Sequence, residues 1–204
     1  MKKKYELIPT DTKIVGSKTL YRIKSLIDFT LPNGVKIHAG NLGGYIENEN
    51  NLSQTGKSWV SDNALVYGYA RVSDNARVYD NARVYGDALV SGYAQVYGNA
   101  RVYGDARVYD NARVYGDARV YGYADILTIS NVGGRGDTTT FFRTADDDIR
   151  VKCGCFTGTI DEFAAAVENT HGDNKYGQEY RIAIQLAKLH IGNNAGGNDD
   201  EQNS

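Results

Sequence analysis

The sequence predicts a mainly β protein built around a parallel β-helix of hexapeptide repeats, and three observations support this prediction. Eleven alanines recur at a fixed step of six from Ala64 to Ala124, and each is followed two residues later by Val or Ile. The two residues that close each unit include Gly, Asn or Asp, as in Gly68-Tyr69 and Asp74-Asn75, and these types tolerate a sharp corner. The chain of 204 residues has 16 Tyr, 23 Gly and only 2 Pro, a composition that favours sheet over disorder.

The hexad itself indicates a solenoid and not a set of hairpins. In the unit Ala-x-Val-x-turn-turn, alternation places Ala and Val on one face of the strand and the intervening residues on the other. Strands this short cannot pair through two-residue hairpin loops, but three hexads can wind into one coil, which gives a period of 18 in the sequence. Ser58 and Val60 add a twelfth hexad, which makes four coils. Valine is expected to fill the interior and alanine the tight corners, and both open ends need caps against polymerisation.

The segment before the hexads predicts an N-terminal β cap and an irregular first coil over residues 1–57. Strand-like pieces alternate there with turn signals such as Pro32-Asn33-Gly34. Ile46 and Leu52 stand six apart, whereas the next inward residue, Val60, follows after eight. We therefore expect two extra residues to bulge near Gly56.

The segment after the hexads of 58–129 predicts a small C-terminal α+β domain over 130–191. Residues 138–143 and 149–153 indicate a β-hairpin, because polar turn residues separate two apolar runs. Thr159 and Glu162 form a capping box for a first helix, and a second helix fits about 177–190. Residues 192–204 have no apolar side chain larger than alanine, so this tail is expected to be disordered.

Charge and cysteine content narrow the class of protein. There are 23 basic and 25 acidic residues, a balance that excludes a strongly basic nucleic-acid binder. Cys153 and Cys155 are too few to staple a secreted scaffold, so a reduced, cytoplasmic protein is expected. Both cysteines are interpreted as buried small hydrophobes. No metal site is expected, because a second pair of ligands is missing, and no apolar run is long enough to span a membrane.

The hexads are similar to those of the hexapeptide-repeat transferase superfamily, which implies that the β-helix is left-handed. Further segments resemble a phage and prophage family of hexapeptide-repeat proteins, whose members are often labelled acyltransferases, and the resemblance covers most of residues 4–191. These segments are Leu42-Gly43-Gly44-Tyr45-Ile46-Glu47, Asn51-Leu52-Ser53-Gln54, Trp59-Val60, Gly158-Thr159-Ile160-Asp161-Glu162-Phe163 and His171-Gly172-Asp173-Asn174. Relatives with this prism commonly pair three prisms side by side, so the resemblance implies a homo-oligomer, either trimer or dimer.

A coil of three hexads stacks side chains that occupy the same position in every third hexad. On one face this predicts a row of four tyrosines, Tyr67, Tyr85, Tyr103 and Tyr121, beside a row of three arginines, Arg83, Arg101 and Arg119. A second face combines Arg77 and Arg113 with Tyr79, Tyr97 and Tyr115, and the third carries Arg71 and Arg107. These rows have two possible roles. They shield the outer surface of the sheet from water, or they form an interface with a protein or a nucleotide. Residues 58–127 contain seven Arg and eight Asp, too neutral for a nucleic-acid track, so a homo-oligomer interface is favoured.

The C-terminal domain supplies the candidates for a specific binding site, namely Arg135, Asp137, Arg143, His171, Asp173, Asn174 and Tyr176. The glycine-rich stretch 133–137 is interpreted as a hinge between prism and cap, although its glycines would also let the backbone approach an anion beside Arg135. His171 is explained either by a helix that stops at Gly172 or by a polar site shared with its neighbours.

Taken together, the sequence favours a phage-type binding or interaction protein that acts without catalysis in the host cytoplasm. Interference with a host factor, either a defence protein or a signalling nucleotide, is the role that the family's setting implies. The alternative is an acyltransferase that uses acetyl-CoA, for which the resemblance implies a histidine as general base. The hexads contain no histidine, which leaves His38 and His171 as candidates for that base. A structural or assembly protein is a second alternative.

Overall fold

The computed structural model describes residues 3–192 and begins with an antiparallel cap. Its strands are β1 (Tyr5–Val15), β2 (Lys18–Ser25), β3 (Phe29–Thr30), β4 (Lys36–Ile37) and β5 (Leu42–Ile46). β1 and β2 form a hairpin, and β2 pairs antiparallel with β5, where Arg22 lies opposite Tyr45. β3 and β4 form a separate two-stranded ribbon.

The centre of the protein is a β-solenoid of about four turns, as the hexads predict. Its strands, each of two residues, are β6 (Trp59–Val60), β7 (Leu65–Val66), β8 (Arg71–Val72), β9 (Arg77–Val78), β10 (Arg83–Val84), β11 (Leu89–Val90), β12 (Gln95–Val96), β13 (Arg101–Val102), β14 (Arg107–Val108), β15 (Arg113–Val114) and β16 (Arg119–Val120).

These strands stack in parallel on three faces. Face A contains β5, β7, β10, β13 and β16, face B contains β8, β11 and β14, and face C contains β6, β9, β12 and β15. Partners within the regular coils are separated by three hexads, as in Val84 and Val102. In the first coil Ile46 pairs with Val66, two residues further on, which confirms the bulge predicted near Gly56.

The interior of the solenoid is valine and alanine alone over the regular coils. Every repeat alanine from Ala64 to Ala118 is fully buried, and so is every repeat valine from Val78 to Val120. Each buried valine contributes roughly 1.5 kcal/mol or more of hydrophobic stabilisation. The backbone ladder accompanies this packing, since Arg83 N–H donates to the Ala100 carbonyl at 2.9 Å and Tyr85 N–H to the Val102 carbonyl at 3.0 Å.

Aspartate at the corners is explained by contact between coils. Asp62, Asp74, Asp80 and Asp110 have positive φ angles of 56–59°, a conformation that Asp tolerates better than most residues. The Asp74 carboxylate accepts a hydrogen bond from the Gly92 N–H of the next coil at 3.1 Å, and Asp80 does the same for Gly98. These aspartate side chains therefore stabilise the stacking of one coil on the next through hydrogen bonds to its backbone.

The C-terminal unit is a four-stranded antiparallel sheet with two helices. It consists of β17 (Ile126–Val132), β18 (Asp137–Arg143), β19 (Ile149–Cys153), β20 (Phe156–Thr159), α1 (Ile160–His171) and α2 (Lys175–Gly192). The strand order is β17-β18-β19-β20. The predicted hairpin corresponds to β18 and β19, and the Thr159–Glu162 capping box is present at the start of α1.

Two features of this unit differ from the sequence analysis. The sheet begins at Ile126, because the residue that continues the hexad pattern pairs with Phe142 of β18 and not with a solenoid strand. The interpretation of the glycine-rich stretch 133–137 as a hinge is wrong, because it forms the hairpin turn between β17 and β18. Gly133 and Gly136 have φ angles of +77° and +63°, which the reversal of the chain requires.

The C-terminal unit closes the upper end of the solenoid. Ala145 N–H donates to the Asp117 carbonyl at 3.1 Å, and Arg113 N–H donates to the Thr140 hydroxyl at 3.2 Å. Phe142 joins the solenoid core, whereas Phe141 belongs to the separate core between sheet and helices. One residue pair on β18 thus connects both cores.

The structure bears on two further predictions, the disordered C-terminal tail and the absence of membrane-spanning segments. The predicted disordered tail begins at Gly192, but this residue is the last of α2. The rest of the predicted tail, 193–204, lies outside the described residues. Over residues 3–192, no helix is long and apolar enough to cross a membrane.

We expect Gly104→Ala to lower the free energy of unfolding more than Gly116→Ala. Both glycines have positive φ, +61° and +65°, so alanine at either position costs about 1 kcal/mol in backbone strain. Only at Gly104 would the new methyl group overlap the Tyr121 carbonyl oxygen, since nothing lies within 4 Å at Gly116. Overpacking adds about 1–3 kcal/mol, which urea unfolding measures. An equal decrease in the free energy of unfolding in both variants would contradict the close contact between Gly104 and the Tyr121 carbonyl oxygen.

Candidate functional site

The predicted tyrosine row on face A is a continuous ladder. The rings of Tyr67 and Tyr85 stack at 5.0 Å with 1° between their planes, and Tyr85 and Tyr103 stack at 5.0 Å with 11°. Tyr121 ends the ladder edge-on, at 5.2 Å and 73°. The arginine row runs beside it, because Arg83, Arg101 and Arg119 are ladder partners in β10, β13 and β16.

The N-terminal hairpin limits how much of face A is open. Leu20, Tyr45 and Leu65 form a small buried cluster against which Val15 and Tyr67 pack. The Lys13 ammonium lies 4.3 Å from the centre of the Tyr45 ring. The hairpin tip therefore covers the outer side of the first two coils, and the open part of face A starts at Arg83.

The tyrosines of face C connect the solenoid to the C-terminal unit. Tyr79 and Tyr97 stack at 4.9 Å, Tyr97 and Tyr115 at 5.6 Å, and the Tyr115 ring meets Phe142 edge-on at 5.1 Å. Burial raises the pKa of Tyr79 to about 12, and it also raises the pKa of Tyr97 and of Tyr115. Tyr115, at the upper end of this ladder, belongs to the packing between the two units, whereas Tyr79 and Tyr97 stack within the solenoid.

A cleft of about 420 Å³ opens in the C-terminal unit and is called the aromatic cleft here. Its walls are the β17–β18 turn, the β19–β20 turn, the last two turns of α1 and the start of α2. It brings together four residues that the sequence singled out for binding, which are Arg135, Asp137, His171 and Tyr176. They come from the β17–β18 turn, β18, α1 and α2, so only the fold makes the loop residues and the helix residues neighbours.

Five aromatic rings line this cleft. His171 lies 6.0 Å from Tyr176 and 5.7 Å from Tyr180, and Tyr180 packs edge-on against Phe163 at 5.4 Å. Phe156 also lines the cleft and lies 5.1 Å from Phe163. The cleft therefore offers flat apolar surfaces with Arg135 and Asp137 among them.

Tyr180 fixes the floor of the aromatic cleft. Its hydroxyl donates to the Val132 carbonyl at 3.4 Å and lies 3.6 Å from the Cys153 sulfur. Burial is the main reason that the pKa of Tyr180 is raised, and the nearby charges of Asp137 and Glu179 act in the same direction. Gly133 is required beside it, because a Cβ there would overlap the Tyr180 hydroxyl.

A second cleft, of about 290 Å³, lies between the last solenoid coil and the C-terminal sheet and is called the polar cleft here. It is lined by Asn111, Arg113, Gly136, Asp137, Thr138, Thr140, Lys152 and Gly154. Asp137 and Gly154 line both clefts. The polar cleft lies on the face of β18 and β19 that is turned to the solenoid, and it carries two cationic side chains. The aromatic cleft lies on the face that packs against the helices, and the two clefts meet at the end of the sheet.

Two of the predicted binding residues lie outside both clefts and hold the helices in place. The Asn174 side chain accepts hydrogen bonds from the N–H groups of Tyr176 and Gly177 at 2.9 and 3.0 Å, which caps α2. The Asp173 carboxylate pairs with Arg181 at 3.0 Å. Both residues act on the connection between α1 and α2, where Gly172 ends α1 with φ +50°.

Arg143, another predicted binding residue, is buried and structural. Its Nε donates to the Asp125 carboxylate at 2.7 Å, and its guanidinium also donates to the Ile191 carbonyl. The other oxygen of Asp125 accepts from Tyr121 N–H at 3.0 Å. This group links the last coil, the sheet and the end of α2, so Arg143 is not available as a surface ligand group.

The remaining histidines and cysteines are dispersed. His38 lies in the N-terminal cap, 3.5 Å from Asp28, and His190 contacts the Tyr123 carbonyl at 3.0 Å. Hydrogen bonds from Ala39 N–H and from His38 lower the pKa of Asp28. The prediction of two buried cysteines is wrong, because Cys155 is exposed in the β19–β20 turn and Cys153 is only half-buried. Within residues 3–192, no group of three His, Cys, Asp or Glu side chains is placed to hold a metal ion.

Sequence reasoning found two rings of the aromatic cleft, His171 and Tyr176, but missed the other three and the polar cleft. Phe156, Phe163 and Tyr180 occupy apolar positions that are typical of core residues, so no local signal sets them apart. Arg113 belongs to the repeat pattern, and only the fold places it beside Lys152 of β19.

The comparisons with known proteins concern the solenoid. The family model described as YdcK beta solenoid repeat matches residues 70–83, 94–110 and 106–122. No curated protein matches the chain. The match supports a repeat β-solenoid protein, in agreement with the stacked parallel strands, and it covers none of the residues of the aromatic cleft.

We expect Asp125→Ala to destabilise the protein far more than Asp147→Ala, although both carboxylates pair with Arg143. The Asp125 pair spans 2.7 Å between nearly buried side chains, whereas Asp147 is 3.4 Å away and mostly exposed. Removing one partner of a buried ion pair costs about 3 kcal/mol or more, and an exposed pair is worth about 1 kcal/mol at most. Urea unfolding measures both losses. Similar small losses would show that Asp125 does not hold the two units together.

Proposed function

We propose that this chain is a binding protein that acts without catalysis and takes its ligand in the aromatic cleft. The observation that carries this proposal is the convergence of Arg135, Asp137, His171 and Tyr176 on one cleft of about 420 Å³. Ligand sites are typically concave, mostly apolar and provided with a few polar groups that fix orientation. The aromatic cleft meets this description, whereas the solenoid surface repeats the same side chains coil after coil.

The chemistry of the cleft favours a ligand with a planar ring. Tyr176 is 39% exposed, so its ring is accessible for stacking, and Phe163 and Tyr180 form a rigid floor below it. Stacking of a base on an aromatic side chain contributes about 1–3 kcal/mol. Asp137 and Arg135 supply an acceptor and a donor at the rim. A nucleoside has the ring, the polar edge and the size that such a cleft accommodates.

The biological role that follows from this ligand class is sequestration of a small molecule. A protein that binds a signalling nucleotide lowers its free concentration, and this would interfere with a host factor that responds to it. In a phage-encoded protein acting in the host cytoplasm, such interference would serve as anti-defence. The resemblance to phage and prophage hexapeptide-repeat proteins supports the phage setting of this proposal.

The solenoid is proposed to serve as a rigid shaft for self-association. On the open part of face A, the row of Arg83, Arg101 and Arg119 runs parallel to the row of Tyr85, Tyr103 and Tyr121. When two copies face each other about a twofold axis parallel to the solenoid, each arginine row lies opposite the tyrosine row of the partner. Because the rings stack on one another, they present their edges and hydroxyls to a partner. A guanidinium can donate hydrogen bonds to these hydroxyls, so this surface is self-complementary.

We expect Ala166→Trp to abolish nucleoside binding and Ala165→Trp to leave it unchanged. Ala166 lines the aromatic cleft, whereas its neighbour Ala165 is exposed and does not line it. An indole in the cleft displaces the stacked ring, and loss of one stacking contact weakens binding roughly tenfold or more. Isothermal titration with the four common nucleosides measures this. If none of them binds the unmodified protein, the cleft is not a nucleoside site.

We expect the double variant R101E/R119E to dissociate the oligomer and R71E/R107E to leave it intact. The first pair of substitutions removes the guanidinium donors that lie opposite the tyrosine hydroxyls of the partner and reverses their charge. The second pair makes the same change in charge on exposed positions of face B. Sedimentation velocity of the three proteins gives the subunit number directly. An unmodified protein that sediments as a monomer, or dissociation in both variants, would contradict an interface on face A.

A further inference from the structure

We infer that the polar cleft binds a phosphoryl group and that the two adjoining clefts together take a nucleotide. This inference rests on the proposed function, because it names the ligand of the same site more closely. It adds a second binding surface, between the solenoid and the C-terminal sheet, which joins part of the glycine-rich stretch 133–137 to Arg113 of the repeats and Lys152 of β19.

The cations of the polar cleft come from two different units of the fold. Arg113 projects from the last solenoid coil, and its positive charge opposes the rise in the pKa of Tyr97 that burial causes. Lys152 belongs to β19, and its ammonium donates to the Phe156 carbonyl at 3.3 Å and to the Thr157 hydroxyl at 3.0 Å. An ammonium has three donors and a guanidinium five, so both groups have donor capacity for an anion.

Backbone geometry around these cations suits an anion as well. Gly136 and Gly154 line the cleft with φ angles of +63° and +53°, a conformation that most side chains disfavour. The Gly136 N–H donates to the Gly133 carbonyl at 3.2 Å, so these glycines contribute room for the approach of an anion, and the donors come from the side chains. The hydroxyls of Thr138 and Thr140 lie in the same wall, and Thr140 holds the backbone of Arg113 at 3.2 Å. The strand that carries Arg113 is thus fixed to the sheet that carries Lys152.

The balance of charge favours an anion in the polar cleft and a neutral ring in the aromatic cleft. Arg113 and Lys152 carry two positive charges, against the single carboxylate of Asp137 in the polar cleft. Asp137 lies at the junction of the clefts, where it is suited to accept hydrogen bonds from sugar hydroxyls or ring N–H groups. A ligand that spans the junction would therefore place its ring, its hydroxyls and its phosphoryl group against matching chemistry.

The experiment compares a nucleoside with its 5′-monophosphate by isothermal titration, using the full-length chain. In the unmodified protein, we expect the phosphate to strengthen binding roughly tenfold or more, since hydrogen bonds to charged groups contribute substantially. The variant R113Q/K152Q should lose this gain while its affinity for the nucleoside stays the same. A control, R107Q/K188Q, removes the same charges from exposed positions outside the polar cleft and should keep the gain.

A second arm tests the polar cleft without any ring. Titration with pyrophosphate should shift the amide NMR signals of Gly136 and Gly154 in a saturable way, and R113Q/K152Q should abolish the shifts. Acetate at the same concentration separates a phosphoryl site from a site for any anion, and equal shifts with acetate would overturn the inference.

The outcomes separate failure of the inference from failure of the proposed function. If the nucleoside binds and the phosphate adds nothing, the aromatic cleft stands and the phosphoryl site is wrong. If pyrophosphate shifts the two glycines but no nucleoside binds, the proposed function fails and with it the inference of one ligand across both clefts. A gain in affinity that persists in R113Q/K152Q would place the phosphate elsewhere and overturn the inference.

Discussion

The inward stacking of valine on valine and alanine on alanine is the constraint on which the rest of the molecule depends. The inward residues from Val72 to Val120 are 0–1% exposed. Because each coil must bury them, the vertical alignment of the outward residues from coil to coil is fixed as well. They fall into rows that repeat at every third hexad, and the tyrosine ladders of faces A and C follow directly. The corners obey the same constraint, since only Gly or Asp occupies the positive-φ position of the regular coils. The surface chemistry of the shaft is therefore a consequence of its core.

A stack of identical coils has no intrinsic end, and the two caps resolve this in different ways. At the lower end β2 pairs antiparallel with β5, the first strand of face A. The hairpin of β1 and β2 therefore covers the edge that the parallel stack would otherwise leave unpaired. At the upper end a complete α+β unit covers the last coil, and the buried pair of Asp125 and Arg143 holds the two units together. Both clefts lie in this upper unit or at its junction with the coil. The polar cleft is lined by Arg113 from the last coil and by Lys152 from the cap, so it forms where the cap meets the solenoid.

The sequence alone predicted the solenoid, its period of three hexads, the bulge of the first coil, the hairpin of β18 and β19 and the capping box of α1. All of these depend on local pattern, which a repeat makes unusually easy to recognise. The errors arise where a local pattern had two meanings. Ile126 continues the hexads in sequence but starts a new sheet, and the glycines of 133–137 suit a hinge as well as a hairpin turn. Arg143 has the pattern of a surface cation, yet it contacts Ile191 near the far end of α2, a contact that no spacing reveals. The roles of the shaft rows and of the cleft residues remain predictions, because the fold places them without testing what they bind.

The division between repeat and cap has a consequence for recognition. A shaft of near-identical coils presents nearly the same groups at each level, so a small ligand would meet several equivalent positions and none would be specific. Such a surface suits an extended partner, above all a second copy with the same repeat. Specific recognition of a small molecule needs groups that occur once in a fixed arrangement, and the chain supplies these where the repeat stops. Arg135, His171 and Tyr176 come from three elements of the non-repeating cap, and Arg113 belongs to the last full coil, which is the only one that faces this cap. The position of both clefts at the end of the repeat is therefore what the physics of a solenoid favours for a specific site.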